Sequence, residues 1–122
     1  MSTLKLDTLS NKAGTASVPS DTIVSGTAKA WVHFNGNSVA IRGAFNVSSI
    51  TDNGTGDYTV NFTISMPDEN YSAITNCGYS PANPSTIFST SVPVNSSSLR
   101  INCYSTSGTA NDRDFVSAAI FS

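Results

Sequence analysis

One histidine, two cysteines and eight acidic residues are the metal-ligating groups and the side chains that titrate nearest neutral pH in this 122-residue chain. His33 lies between Val32 and Phe34 in the segment AKAWVHFN, so a Ser-His-Asp relay or a histidine metal cage has a single imidazole to work with. A packed or surface ring bonded to backbone is the expected role. The alternative needs an assembly, in which three copies of His33 meet on a threefold axis and hold a metal. Cys77 and Cys103 fall in separate segments, outside any CxxC or Cys-His cluster. Two such thiols cannot build a zinc site and are expected to be buried and free, with a bridge open to them only if their Cα atoms come within about 7 Å.

The carboxylates Asp52, Asp57, Asp68, Glu69, Asp112 and Asp114 mostly mark turns. A glycosidase holds two carboxylates about 5 to 10 Å apart across a sugar, and pairs on loop tips do not make that cleft. Asp52-Asn53-Gly54-Thr55-Gly56-Asp57 has the look of a calcium loop. It lacks the glutamate at the twelfth position and the flanking helices of an EF-hand, and turn chemistry explains it better. Phosphate-binding glycine loops and nucleophile elbows are missing as well. The expectation is a protein with no catalytic residue, no bound metal and no cofactor, and therefore not an enzyme.

Aromatic side chains leave more room for binding. Trp31, Tyr71, Tyr79, Phe88 and Tyr104 are expected mostly in the core or at an interface, with a stacking platform for sugar rings as the alternative. The loops Ser80 to Ser85 and Ser105 to Arg113, rich in Ser, Thr, Asn and Asp, are where adaptable hydrogen bonding to a glycan would be built.

The elements that must position these residues read as strands. Within Ala44 to Met66, Tyr58, Val60, Phe62 and Ile64 alternate with Thr59, Asn61, Thr63 and Ser65, the period of two expected when one face is buried. The Asn53-Gly54 step and Gly56 supply positive φ for the reversal, which makes the stretch a hairpin. Ala28 to Asn35 carries bulk on both sides, with Trp31 and His33 opposite Val32 and Phe34. Arg42-Gly43 interrupts the pattern before Phe45, Val47 and Ile50, where the spacing slips by one residue, as at a bulge. Tyr71 to Tyr79, Thr86 to Val94 and Ser98 to Ser105 continue the pattern, and Pro93 needs an edge or a strand end. In Asp114 to Ser122 the apolar run is nearly continuous, as in a strand covered on both faces. Short strands with turn signals every 8 to 12 residues or so predict an antiparallel β-sandwich or flattened barrel. Residues 28–122 form that domain, and helix is minor or absent. Met1 to Thr27 reads as an extended arm, either a disordered tail or a strand that docks on a neighbour.

Bulk composition narrows the partners. Only 11% of residues are charged, against about 25% in an ordinary domain. A net charge of −2 with six scattered Lys and Arg gives no basic stripe for nucleic acid. No run reaches the roughly 20 apolar residues of a membrane span, so membrane insertion is not expected. The opening MSTLKLDTLSNK lacks the apolar core of a signal peptide, so a protein made and kept in a cytosol is expected, and the sequons at Asn46, Asn53, Asn61, Asn70 and Asn95 are read as accidents of composition.

Two stretches carry a family resemblance. AKAWVHFNGNSVAIRGAFNVSSITDNGTGDYTVNFTISMPDENYS, from Ala28 to about Ser72, resembles a module of tail fibre and related virion proteins of tailed bacteriophages, especially of marine and cyanobacterial hosts. That module typically reads AKAWVNF at its start and SITDNGTGDYTVNF at its centre, so His33 stands where Asn is common. MSTLKLDTLSNKAGTASVP resembles the start of such proteins, where an extended arm attaches to the particle. The resemblance implies a homotrimeric, β-rich, non-enzymatic appendage in the virion, made in the host cytoplasm, that touches other tail or baseplate proteins and a host-surface glycan. On that reading Leu4, Leu6 and Leu9 anchor the arm, and Trp31, His33, Phe115, Ile120 and Phe121 form the oligomer interface. Tyr79, Asn83, Asn111, Asp112 and Arg113 lie in loops that contact the receptor. A capsid or baseplate decoration without receptor binding, or a carbohydrate-binding module, would need the same fold.

Overall fold

Alternation is cleanest between Asp57 and Phe62, where Tyr58, Val60 and Phe62 are buried and the residues between them are not. In the computed structural model, which describes residues 2–79 and 87–122, this segment is β6 of an antiparallel β-sandwich. Its sheet has the order β5-β6-β9-β8, with β5 at Val47–Gly54, β8 at Ile87–Asn95 and β9 at Ser98–Ser105. The facing sheet has the order β4-β3-β10-β7, with β3 at Ala30–Asn35, β4 at Ala40–Phe45, β7 at Ser72–Gly78 and β10 at Phe115–Phe121. Every pairing in both sheets is antiparallel.

The core is what the inner rows leave between the sheets. Val32, Phe34, Val116 and Ile120 from one sheet meet Tyr58, Val60, Leu99 and Ile101 from the other, all without solvent exposure beyond 1%. Phe34 and Tyr58 pack edge to face across the gap at 5.2 Å. The terminal strand β10 lies between β3 and β7, which is where its apolar run belongs. Pro93 sits on the edge strand β8 beside a register shift, where a missing N–H costs no ladder bond.

The long hairpin expected from Ala44 to Met66 is shorter. Phe45 ends β4 in one sheet and Val47 begins β5 in the other, with Asn46 between them at φ 55°. The Asn46 side chain accepts the Ile64 N–H at 2.7 Å and donates to the carbonyls of Ile64 and Lys29 at 3.0 and 3.1 Å. That stitch draws the chain off the β6 ladder after Phe62, and Ile64, expected on the buried face, is 72% exposed. The reversal is the two-residue Thr55-Gly56 link between the paired residues Gly54 and Asp57, one step beyond the Asn-Gly pair. The slip expected among Phe45, Val47 and Ile50 is real: Val47 pairs with Phe62 and Ser49 with Asn61, leaving Ser48 as the extra residue. A second irregularity lies in the other sheet, where His33 pairs with Gly43 and Phe34 with Ile41.

Before the sandwich, β1 (Thr8–Ser10) and β2 (Ser17–Pro19) make a small hairpin, and α1 (Ser20–Gly26) adds a short helix. The Lys29 ammonium closes its C-terminal end by donating to the Val24 and Thr27 carbonyls, where a cation suits the helix dipole.

Candidate functional site

Antiparallel partners share a face, so the β4-β3-β10-β7 register defines what that sheet shows to the outside. Phe45, Trp31, Ala119 and Ile74 stand in one straight row across its four strands. Phe45 is 55% exposed, Trp31 44% and Ile74 67%. The Trp31 ring lies flat because Gly43 is beneath it: a Cβ there would be 3.3 Å from the indole. The next row is Gly43, His33, Ser117 and Asn76. His33 stacks on Phe115 with centroids 5.8 Å apart, and the Arg42 guanidinium lies 4.7 Å from the same ring. Phe121 is half-buried on this face, paired with Ser72.

Four of the five expected interface residues are therefore together on one surface. Ile120 is the exception, because it is fully buried in the core; in a continuous apolar strand the sequence does not reveal parity, and Ala119 and Phe121 point outward in its place. Phe115 is partly covered by His33 and Arg42 within the chain itself.

The outer face of the other sheet is chemically opposite. Arg100 forms a two-pronged ion pair with Asp57, and that guanidinium holds the Asp57 carboxyl below its ordinary value. Asn61 donates to Ser49 and Thr51 at 3.1 and 2.9 Å. Phe88 and Tyr104, centroids 5.4 Å apart, add one aromatic pair near the edge. Along β5, β6 and β9 the face is a hydrogen-bonded polar ladder, and the edge strand β8 adds the exposed Phe88 and Val92.

At one end of the sandwich the loops carry the expected receptor-contacting residues, and the structure gives several of them work inside the fold. Asp112 Oδ1 accepts both the Gly56 N–H and the Tyr58 hydroxyl at 2.8 Å. Burial first, and then this carboxylate, push the Tyr58 hydroxyl pKa far up. Asn111 donates its N–H to the Cys103 carbonyl at 3.1 Å. Arg113 is only 6% exposed, its carbonyl accepts the Gly36 N–H, and its guanidinium sits 5.6 Å from the exposed Tyr79 ring. Arg113 is thus a buried residue, not a loop-tip contact, and Tyr79 is the solvent-facing part of the group. Asn83 lies outside the described residues.

A third surface is not legible in the sequence as a unit. An open apolar groove of about 780 Å³ runs between α1 and the end of the sandwich, lined by Ile23, Val24, Phe45, Ile64, Met66 and Ser122 among others. Leu4, Leu6 and Leu9, the expected anchor, are exposed in the arm.

Cys77 and Cys103 are buried free thiols in facing sheets. Among the described residues no three His, Cys, Asp or Glu side chains converge on a point. His33 faces Phe115, away from both cysteines. The chain matches no protein-family model, no curated protein and no solved structure.

Proposed function

We propose that this chain is a virion appendage protein of a tailed bacteriophage, a tail fibre or tail-tip component that self-associates into a trimer and contributes to host-surface contact. The observation that supports it most is the contrast between the two outer faces. One is polar across β5, β6 and β9, with the apolar Phe88 and Val92 confined to its edge strand β8; the other presents Phe45, Trp31 and Ile74 in a row that crosses all four strands. An apolar row spanning a whole sheet is a surface that association covers. The motif likeness over residues 28–72 supplies the particle.

In this reading the row and its neighbours His33 and Phe121 meet sister chains, and the Leu4, Leu6 and Leu9 arm joins the particle. The loop end around Tyr79 faces the host, where three weak glycan contacts on one trimer reinforce each other through effective concentration. Native mass measurement gives the first test: a trimer is expected, and a monomer at all concentrations overturns the reading. Phage particles lacking the protein are expected to adsorb poorly to host cells. Normal adsorption with the protein still visible on the particle by immunogold labelling would assign it to decoration without receptor binding.

A further inference from the structure

The sandwich closes most tightly along β7 and β8, where Thr75 Oγ1 and Ser89 Oγ are 3.0 Å apart across the two sheets. Both residues face inward. Cys77 is the next inward residue after Thr75 on β7, and Cys103 is the ladder partner of Ser89 on β9. The closure that joins Thr75 to Ser89 therefore brings the two buried thiols toward each other across the core. Neither thiol takes part in the surfaces described above.

We infer that Cys77 and Cys103 are an oxidisable dithiol that closes into an intrachain disulfide, tying one sheet to the other through the core. The buried Arg113 guanidinium acts on both sulfurs as a positive charge, and its Nε has no hydrogen-bond partner among the described residues. It is a fixed positive charge where a thiolate would form. The S–H of Cys103, and then Arg113, draw the Cys77 pKa below the ordinary thiol value, while Cys77 and burial push Cys103 up. Cys77, 7% exposed against 0% for Cys103, is accordingly the attacking sulfur.

The oxidant is a small external disulfide. The Cys77 thiolate attacks one of its sulfurs, forming a mixed disulfide and releasing one thiol. Cys103 then loses its proton and attacks the Cys77 sulfur, forming the Cys77–Cys103 bond and releasing the second thiol. Two protein thiols are oxidised and one external disulfide is reduced to two thiols.

The test uses the full chain and oxidised glutathione, applied to the folded protein and, separately, during refolding from denaturant. Expected are a chain lighter by two hydrogens, a linked peptide pair containing Cys77 and Cys103, and a Tm several degrees higher that dithiothreitol reverses. Cys103→Ser is expected to stop at a stable glutathione adduct on Cys77. Thiols that stay reduced by both routes, or that bridge only between chains, overturn the inference. So does an oxidised form with an unchanged Tm.

Discussion

Asn46 and Gly56 hold positions that few other residues tolerate. Asn46 is left-handed at φ 55° and makes three side-chain hydrogen bonds at the crossing between sheets. Asn46→Ala loses all three and keeps the backbone strain, so a loss of about 3 kcal/mol is expected from chemical denaturation. Gly56 has φ 65°, and a Cβ there would lie 2.7 Å from both the Cys103 carbonyl oxygen and the Asn111 nitrogen. Gly56→Ala is expected to cost a similar amount, about 3 kcal/mol, because backbone on both sides would have to move. Val39 is the opposite case, a β-branched residue held at φ 58°; Val39→Gly relieves the strain and is expected to add about 1 kcal/mol. The buried tyrosines give a pH dependence. Burial pushes Tyr71 up to about 12, and Tyr58 rises further, while in the unfolded chain both titrate near about 10. The folded state therefore keeps protons that the unfolded state gives up. Stability from this source is complete below about pH 10 and falls above it by up to about 1.4 kcal/mol per pH unit per tyrosine. Urea midpoints measured between pH 9 and 11 should decline, and Tyr58→Phe should flatten the decline even though it lowers stability at neutral pH.

Among the elements, β10 and the arm differ most in what the fold asks of them. β10 pairs on both sides and contributes Val116, Ala118 and Ile120 to the core. Deleting residues 115–122 opens a central gap and is expected to leave no cooperative unfolding transition by circular dichroism. The side chains of residues 2–19 are exposed or half-buried, so deleting residues 1–19 is expected to leave the sandwich's Tm within a few degrees. Much of this is legible in the residues alone. The period of two in β6 and β9 marks their buried residues, and the apolar run of β10 marks a central strand. What stays hidden has physical reasons. A period of two does not say which sheet a strand joins, so AFNVSSI reads as one strand although Asn46 sends its halves to opposite sheets. The helix α1 is concealed because SDTIVSG is short and holds β-branched residues, serine and a glycine, all weak helix formers. Arg113 reads as a surface charge since burial of a guanidinium follows from three-dimensional packing, which no local pattern announces. The apolar row is only partly legible: Trp31 is marked by its setting, while Phe45 and Ile74 join it through a register that only the folded sheet defines.

At the scale of the whole molecule the two outer faces set up a comparison that needs no knowledge of the particle. If sister chains cover the Phe45-Trp31-Ala119-Ile74 row, folding is linked to association, and the Tm must rise with protein concentration. A chain that folds alone shows no such slope. Replacing Phe45 and Ile74 together with serine leaves the buried core untouched, since both side chains are more than half exposed. That variant is expected to sediment as a monomer, with a Tm independent of concentration and equal to that of the parent at its lowest concentration. Thr51→Lys, on the polar ladder of the opposite sheet, is the control and should keep both the oligomer and the slope. Loss of the slope in the control alone would move the association surface to the polar sheet. Loss in neither would leave the apolar row without a part in assembly. The serine pair also separates assembly from adhesion: a particle-bound monomer with an intact loop end should bind host cells more weakly than the trimer, by the factor that multivalency supplies, about 10²-fold or more.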